Sequence, residues 1–404
     1  MKSISDIVAI AKQMGFYPNL PTLNSPHTPE TLANGRAVLL FTSNNYLGMM
    51  TDERVVAAAT EGCQKWGIGS GASRLLGGSL DIHTRLEEAL ADFKKKDACV
   101  TFPTGFMANS GTIPAVANVM NPSVLMLDDA FHANLGTVIF SDEYNHGSIR
   151  IAISTSRSPK EIFKHSDMAD LKNRLKKYPA QKRKLIVVDG VFSMDGDIAP
   201  LPDILGLARE YGAMVYVDDA HATGILGKHG RGTEDYFEIE GQVDIMMGTL
   251  TKAFGGLGGF VVGSNSLIDY LRISAATYIL TAPIPPPVVC GLIRAIELVR
   301  EEPWRRERLL ENAKYLREAF LEMDLNICGS QTQIIPIWVG DEQKSIAAAK
   351  LLLENDIFVP NAMWPAVPTG QARLRISVMY NHTKDQMDKL ISVVRKIKHK
   401  VLDK

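Results

Sequence analysis

Short apolar runs alternating with segments of helical period fill the chain as far as Tyr270. Ala37 to Phe41, Ala98 to Phe102, Val124 to Leu127, Ile149 to Ser154, Leu185 to Asp189, Met214 to Val217 and Ile245 to Met247 each read as a short buried strand. Between them, Ile82, Leu86, Leu90 and Phe93 share one helical face behind Asp81, and Pro202 to Tyr211 carries another helical pattern. Strands separated by helices need crossover connections, so a mostly parallel sheet is predicted. The N-terminus differs. Ile4, Ile7, Val8, Ala11 and Met14 form the stripe of an amphipathic helix, followed by a Pro- and Thr-rich connection from Pro18 to Thr31. An apolar stripe on a terminal arm points to packing on a partner subunit.

Past Tyr270 the pattern changes. Tyr278 to Pro287 is too rich in proline for regular structure, and a long charged helix is predicted to about Glu322. The remainder alternates a strand (Gln333 to Val339), a helix (Lys344 to Glu354), an extended segment (Phe358 to Pro368), a strand (Ala372 to Val378) and a helix (Lys384 to Val401). This reads as a small α+β domain. The expected division is an arm over 1–45, a large domain over 46–285 and a small domain over 286–404, and a chain of 404 residues exceeds one ordinary core.

Composition narrows the function. With 44 basic and 45 acidic residues well mixed, the net charge is −1, which leaves no electrostatic footprint for nucleic acid or an anionic membrane. A small-molecule ligand is expected instead. Cys63, Cys99, Cys290 and Cys328 lie far apart and fit neither a zinc spacing nor a disulfide framework, which implies a reducing cytoplasm. Met1 to Tyr17 lacks the apolar core and cleavage site of a signal peptide, and no apolar run of about 18 residues suggests a membrane span.

The candidate chemistry gathers around Lys252. It follows the Ile245 to Met247 run, has the hydroxyls of Thr249 and Thr251 before it, and is trailed by glycines that let backbone approach closely. In an open parallel sheet, ligands sit beyond the carboxyl ends of the strands, where Ser193, Asp218, His221 and Lys252 all fall. Gly105, at a strand-to-helix junction, leaves backbone N–H groups free to hold an anion at the positive end of the helix dipole. The glycine run from Gly67 to Gly78 is neither a Walker loop nor a dinucleotide fingerprint. Asp218 and His221 lack a third ligand for a metal. Pyridoxal 5'-phosphate uses the whole set: a lysine for its Schiff base, a carboxylate to keep its ring nitrogen protonated, and donors near Gly105 and Phe106 for its phosphate.

Eight motifs in order carry a family resemblance: Ser43-Asn-Asn-Tyr-Leu-Gly48, Gly69-Ser-Gly-Ala-Ser-Arg74, Thr104-Gly-Phe-Met-Ala-Asn109, Asn145-His146, Asp189-Gly-Val-Phe-Ser-Met-Asp-Gly196, Val217-Asp-Asp-Ala-His221, Gly248-Thr-Leu-Thr-Lys252 and Ala372-Arg-Leu-Arg375. Over nearly its whole length the chain resembles the α-oxoamine synthases, which are fold-type I pyridoxal phosphate enzymes. The resemblance implies an α/β fold: a mostly parallel seven-stranded sheet with helices on both faces, plus a smaller C-terminal α+β domain. It implies that Lys252 holds the cofactor, that Asp218 pairs with the ring nitrogen and that His146 stacks on the ring. His221 and Ser193 match positions beside the 3-oxygen, while Gly105, Phe106 and Thr249 match phosphate positions. Thr281 matches a residue reaching the phosphate from the other subunit of a homodimer. Arg375, helped by Asn44 or Asn45, matches the arginine that binds the amino acid's carboxylate.

The implied reaction is a decarboxylative Claisen condensation of a small amino acid (glycine, alanine or serine) with an acyl thioester of coenzyme A or a carrier protein. Some motifs look nearest the 2-amino-3-ketobutyrate coenzyme A ligase branch, others suit the oxononanoate and sphingoid-type synthases. An aminotransferase would share Lys252 and Asp218 without needing a thioester, and a non-catalytic partner subunit would be expected to lack Lys252. One segment departs from the family pattern. Ile151, Ala152 and Ser154 stand where an aspartate, a glycine and an arginine are usual, which opens the donor side to an unusual acyl group or a carrier-protein thioester.

Overall fold

The computed structural model of the chain describes residues 3–13, 21–118 and 136–402. An N-terminal helix over Ile4–Gln13 is followed by a hairpin of β1 (Glu30–Ala33) and β2 (Arg36–Leu40). The central sheet is built from β3 (Ala98–Phe102), β4 (Val138–Asp142), β5 (Lys160–Phe163), β6 (Lys184–Asp189), β7 (Ala213–Asp218), β8 (Ile245–Thr249) and β9 (Gly259–Gly263). Its strand order is β3-β9-β8-β7-β6-β4-β5. All neighbours run parallel except β9, which is antiparallel to both β3 and β8.

The two faces of this sheet follow from period-two alternation. Along β6, Leu185 and Val187 join one core with Ile139, Tyr216 and Met247, while Ile186 and Val188 join the other with Phe140, Val217 and Phe260. Helices Gly105–Ala117 and Gly147–Ser156 cover the first face. Helices Asp81–Lys94 and Leu201–Tyr211 cover the second. A smaller antiparallel sheet orders β10 (Ile334–Gly340), β13 (Ala372–Ser377) and β12 (Asn361–Ala362), and β11 (Ile357–Phe358) pairs in parallel with β2.

Several expectations change. Ile149 to Ser154 is not a strand but part of the helix Gly147–Ser156. Ile149, Ile151 and Ile153 alternate as a strand would, yet the buried positions are Ser148, Ile149, Ala152, Ile153 and Ser156, a helical spacing, and Ile151 is 49% exposed. β4 takes the sheet position instead, on three apolar residues of its own. The predicted strand over Val124 to Leu127 and the helix position Met14 lie outside the described residues. The long charged helix is two, Pro286–Glu301 and Trp304–Leu321, broken where Pro303 cannot continue the first.

The first of these helices packs on the large sheet's helices, and the N-terminal hairpin pairs near the C-terminal strands. Helix Pro286–Glu301 packs on helices Glu53–Trp66 and Asp81–Lys94, so closely that a Cβ on Gly62 would lie 2.7 Å from Cys290 Sγ. The hairpin β1–β2 pairs with β11 through β2.

A buried ion pair fixes the loop that leaves β7. Lys94 Nζ lies 2.8 Å from Asp219 Oδ2 and 3.3 Å from Thr223 Oγ1, and it also donates to the Arg231 carbonyl. Thr233 donates to Asp219 through both its N–H and its hydroxyl. Both charges are buried, so removing one alone leaves the other uncompensated. Asp219→Ala is expected to lower unfolding stability by about 3–5 kcal/mol, read as a lowered urea midpoint. Lys94→Met combined with Asp219→Asn should recover most of that loss.

Candidate active site

Lys252 sits in the connection between β8 and β9. Bonds from Leu250 N–H to Gly258 O, Gly256 N–H to Leu250 O and Gly255 N–H to Lys252 O fold that connection tightly. Gly255 has φ +71°, and a Cβ there would stand 2.3 Å from Met50 N, so only glycine allows the approach. The lysine is thereby held against the sheet, with Nζ 2.7 Å from His221 Nε2.

Asp218 ends β7 and is in register with Asp189 at the end of β6. Its Oδ2 accepts from Asn109 Nδ2 at 2.7 Å and its Oδ1 from Ala220 N–H at 3.0 Å. Asn109 also donates to Ser148 Oγ at 2.8 Å and accepts from the Tyr216 hydroxyl at 2.6 Å. His146 caps the helix that starts at Gly147; its Nδ1 is 2.7 Å from Ser148 Oγ, and its N–H donates to Asp189 Oδ2 at 2.9 Å. A pocket of about 240 Å³ opens above these groups, lined by Gly105, Phe106, His146, Ser193, Asp218, His221, Thr249 and Lys252.

Burial sets the electrostatics. It lowers the Lys252 ammonium from 10.5 to about 8, with Asp218 opposing the shift and Arg375 adding to it. It drives His221 well below the usual histidine range, helped by Lys252 and Arg375. His146 is lowered by burial against the pull of Asp218, while burial and then the Asp218 charge push Asp189 well above the carboxylate range.

At the pocket's other end, Thr104 caps the helix Gly105–Ala117 by accepting from Met107 N–H at 3.1 Å. The N–H groups of Gly105 and Phe106, in its first turn, have no acceptor within the helix. A Cβ on Gly105 would lie 3.0 Å from Met247 Cε and 3.3 Å from Thr249 Oγ1, so glycine keeps the cradle open. An unfilled helix N-terminus, a threonine hydroxyl, an amine of lowered basicity and a twice-bonded carboxylate in one pocket are the donor set that pyridoxal phosphate requires.

The substrate-side residues divide. Arg375 on β13 donates from Nε to Ser193 O at 2.6 Å and from Nη1 to Ser377 Oγ at 2.8 Å. It is only 9% exposed, and among the described residues no carboxylate pairs with it. Asn45 is occupied at both ends, with Nδ2 donating to His27 O at 3.0 Å and Oδ1 accepting from Met50 N–H at 3.2 Å. Asn44 accepts from the Tyr46 hydroxyl at 2.9 Å, which leaves its Nδ2 end available. Thr281 does not line the pocket of its own chain; its hydroxyl donates to Thr277 O, beside Leu280, which is 78% exposed.

Sequence reasoning passed over Asn109, Asp189, Ser148 and Tyr46. Asn109 had a usable signal, standing four residues after Gly105 and so on the same helical face. Asp189 ends a strand next to the one that carries Asp218. Ser148 and Tyr46 act through side-chain bonds that no periodicity reveals.

The sequence matches the family described as aminotransferase class I and II over residues 36–394. The 8-amino-7-oxononanoate synthase of Alkaliphilus oremlandii is 42% identical over 387 residues, covering 96% of this chain and 94% of that protein. The 8-amino-7-oxononanoate synthase of Thermosipho melanesiensis is 41% identical over 390 residues, 96% of each chain. Among solved structures, the serine palmitoyltransferase of Sphingomonas wittichii overlays with a TM-score of 0.89 at 30% identity, covering 98% of this chain and 96% of that one. The 8-amino-7-oxononanoate synthase of Francisella tularensis gives 0.74 at 27% identity, covering 89% of this chain and 97% of that one.

Proposed function

The chain belongs to the aminotransferase class I and II family and, within it, to the pyridoxal phosphate-dependent α-oxoamine synthases, and on that premise we propose that it condenses L-alanine with a thioester of pimelate. The observation that carries this reading is the near full-length likeness to enzymes named 8-amino-7-oxononanoate synthase. That product has its ketone and its amine on adjacent carbons, and α-oxoamine synthesis forms the bond between those two. Disconnecting it leaves a two-carbon amine, which is alanine without its carboxylate, and a seven-carbon acyl group ending in a carboxylate.

Pyridoxal phosphate, when bound, supplies an electron sink for negative charge developing on the amino acid's Cα. The chain's own residues orient the reactants and handle the protons. Arg375 and the Nδ2 end of Asn44 hold the amino acid's carboxylate, since a buried guanidinium that no carboxylate of the described residues pairs with is matched by a ligand carboxylate. Lys252, of lowered basicity, takes the Cα proton and later returns one. Asp218, oriented by Asn109, would keep a proton on the cofactor's ring nitrogen. The Gly105 and Phe106 N–H groups and Thr249 would hold the cofactor's phosphate, and His146, Ser193 and His221, which line the same pocket, would surround its ring. In balance, one carbon–carbon bond forms at the acyl carbonyl, the thiol leaves, and the amino acid's carboxyl group departs as carbon dioxide.

The reading extends to a homodimer working in the cytoplasm. Ile68, Leu76 and Leu280 are each about four-fifths exposed, as is Ile4 on the N-terminal helix, and such apolar surface favours a second copy. Thr281 would then serve the neighbouring pocket. No helix of the described residues is long and apolar enough to cross a membrane.

The test offers the protein and its cofactor L-alanine, glycine or L-serine, each with the pimeloyl and palmitoyl thioesters of coenzyme A and of a carrier protein. Thiol release and product mass are followed. Alanine with a pimeloyl thioester is the expected pair. The likeness to serine palmitoyltransferases supports one competing pair, serine with palmitoyl thioester, and its selection would overturn the assignment.

A further inference from the structure

A second cavity, of about 320 Å³, shares no lining residue with the cofactor pocket. It opens where helix Asp81–Lys94 ends, where the loop leaving β7 turns back, and where helix Pro286–Glu301 gives way to helix Trp304–Leu321. Lys95, His229, Arg231, Arg300 and Arg306 line it, and Asp92 is the one acid among the described residues that do. Two helices end at the cavity and one begins there, so the side chains rather than the helix dipoles set its sign. Carboxylates do not use up these cations. Asp92 is shared, 2.9 Å from Lys95 Nζ and 2.8 Å from Arg300 Nη1. Asp235 takes His229, and Glu240 takes Arg231. No carboxylate of the described residues pairs with Arg306, whose Nη1 and Nη2 donate to the Val299 and Lys228 carbonyls. Arg306 is only 8% exposed, and burial disfavours its charge by more than Glu307 and Asp235 restore. A positive excess therefore gathers here in a chain whose net charge is −1.

We propose that this cavity is a phosphate-recognition site, whether the phosphate is free or carried by a small organic molecule. Three of its five basic side chains are arginines, whose planar fork of donors suits phosphate oxygens. The basic groups come from three separate stretches, 95, 229–231 and 300–306, so an anion with several oxygens meets them better than one carboxylate does. The volume falls at the lower end of the range for small-molecule pockets, which leaves room for an organic remainder. An anion held there also braces the loop leaving β7. Lys94 joins the Arg231 carbonyl to Asp219, and the start of that loop carries Asp218 and His221.

The test is equilibrium dialysis of the holoenzyme against radiolabelled inorganic phosphate at fixed ionic strength, with ADP as an organic phosphate and adenosine as its phosphate-free control. The cofactor's own phosphate occupies the cradle at Gly105, so that cradle takes no part. The wild type should bind inorganic phosphate and ADP but not adenosine; ADP bound more tightly than phosphate assigns an organic phosphate, and ADP bound no more tightly assigns the free ion. Lys95→Gln combined with Arg300→Gln removes two cations and should weaken binding about tenfold. Asp92→Asn releases the same two cations from their shared carboxylate and should tighten binding about threefold. These side chains are 48%, 43% and 57% exposed, so the core does not depend on them, and unchanged urea midpoints check that. Damage to the fold, or a phosphate site elsewhere, cannot produce both signs. Phosphate that does not bind the wild type, adenosine that binds as well as ADP, or an affinity unmoved in both variants would overturn the proposal. No amino acid or thioester is present, so a wrong substrate assignment leaves this result untouched.

Discussion

Replacing Lys252 by alanine is expected to lower α-oxoamine synthesis by about 10⁴-fold or more, because one side chain supplies both the covalent hold on the cofactor and the proton transfer at Cα. Borohydride reduction followed by peptide mass should find the cofactor on the Lys252 peptide of the wild type and on no peptide of the variant. The wild type also carries a pH signature. Burial, helped by Arg375, leaves Lys252 at about 8 instead of 10.5 against the pull of Asp218 and Asp189, which favour its charge, while His221 and His146, the other titratable groups beside it, are themselves pushed toward neutrality. A lowered pKa means that the neutral, nucleophilic amine is the minority form below about pH 8 and the majority above it. At pH 7 roughly one chain in ten then has a neutral amine, about 300-fold more than an unshifted lysine would give. The rate of pyridoxal phosphate capture by the apoprotein should therefore rise about tenfold per pH unit up to about 8 and then level. A rate still rising tenfold per unit at about pH 9.5 would show that the pocket does not shift the lysine.

The residues that could be read from the chain are those whose position follows from the sheet. Ser193, Asp218, His221 and Lys252 each come just after or at the end of a strand, and the fold does bring them to one pocket. Gly105 was legible for a similar reason, as the first residue of a helix leaving β3. What escaped was the support beneath them. Asn109 orients Asp218 and Tyr46 orients His221, yet in the sequence they are an amide inside a helix and an aromatic in a turn. Such pairings join residues 109 and 175 positions apart, and local period cannot encode them.

Strand β9 shows the same limit in the fold. Its Gly259-Phe-Val-Val-Gly263 run blends into the glycines after Lys252, and glycine weakens the local case for a strand. In the structure that composition is required, since a Cβ on Gly259 would sit 2.6 Å from Gly105 Cα, where the strand passes the phosphate cradle. The residues that obscure the strand in the sequence are those that let it reach the site.

Arg375→Leu is expected to raise KM for the amino acid by roughly 10³-fold, about 4 kcal/mol for the charge-assisted bonds to its carboxylate, while leaving KM for the acyl thioester nearly unchanged. The split follows from the geometry. Arg375 already gives Nε to Ser193 O and Nη1 to Ser377 Oγ, so its plane is set before any ligand arrives. Arg375→Lys should rescue little, because one ammonium cannot keep both anchors and also meet a carboxylate through two parallel bonds. Asn45→Ala provides the contrast at the neighbouring amide. Both ends of Asn45 are bound to His27 O and Met50 N–H, so its loss should cost unfolding stability and leave KM for the amino acid alone. Steady-state kinetics with each substrate varied in turn, beside urea titrations of the three variants, separates these outcomes. An amino-acid KM that stays in the wild-type range for Arg375→Leu would remove the carboxylate from this arginine, and the buried guanidinium would then need another counter-charge.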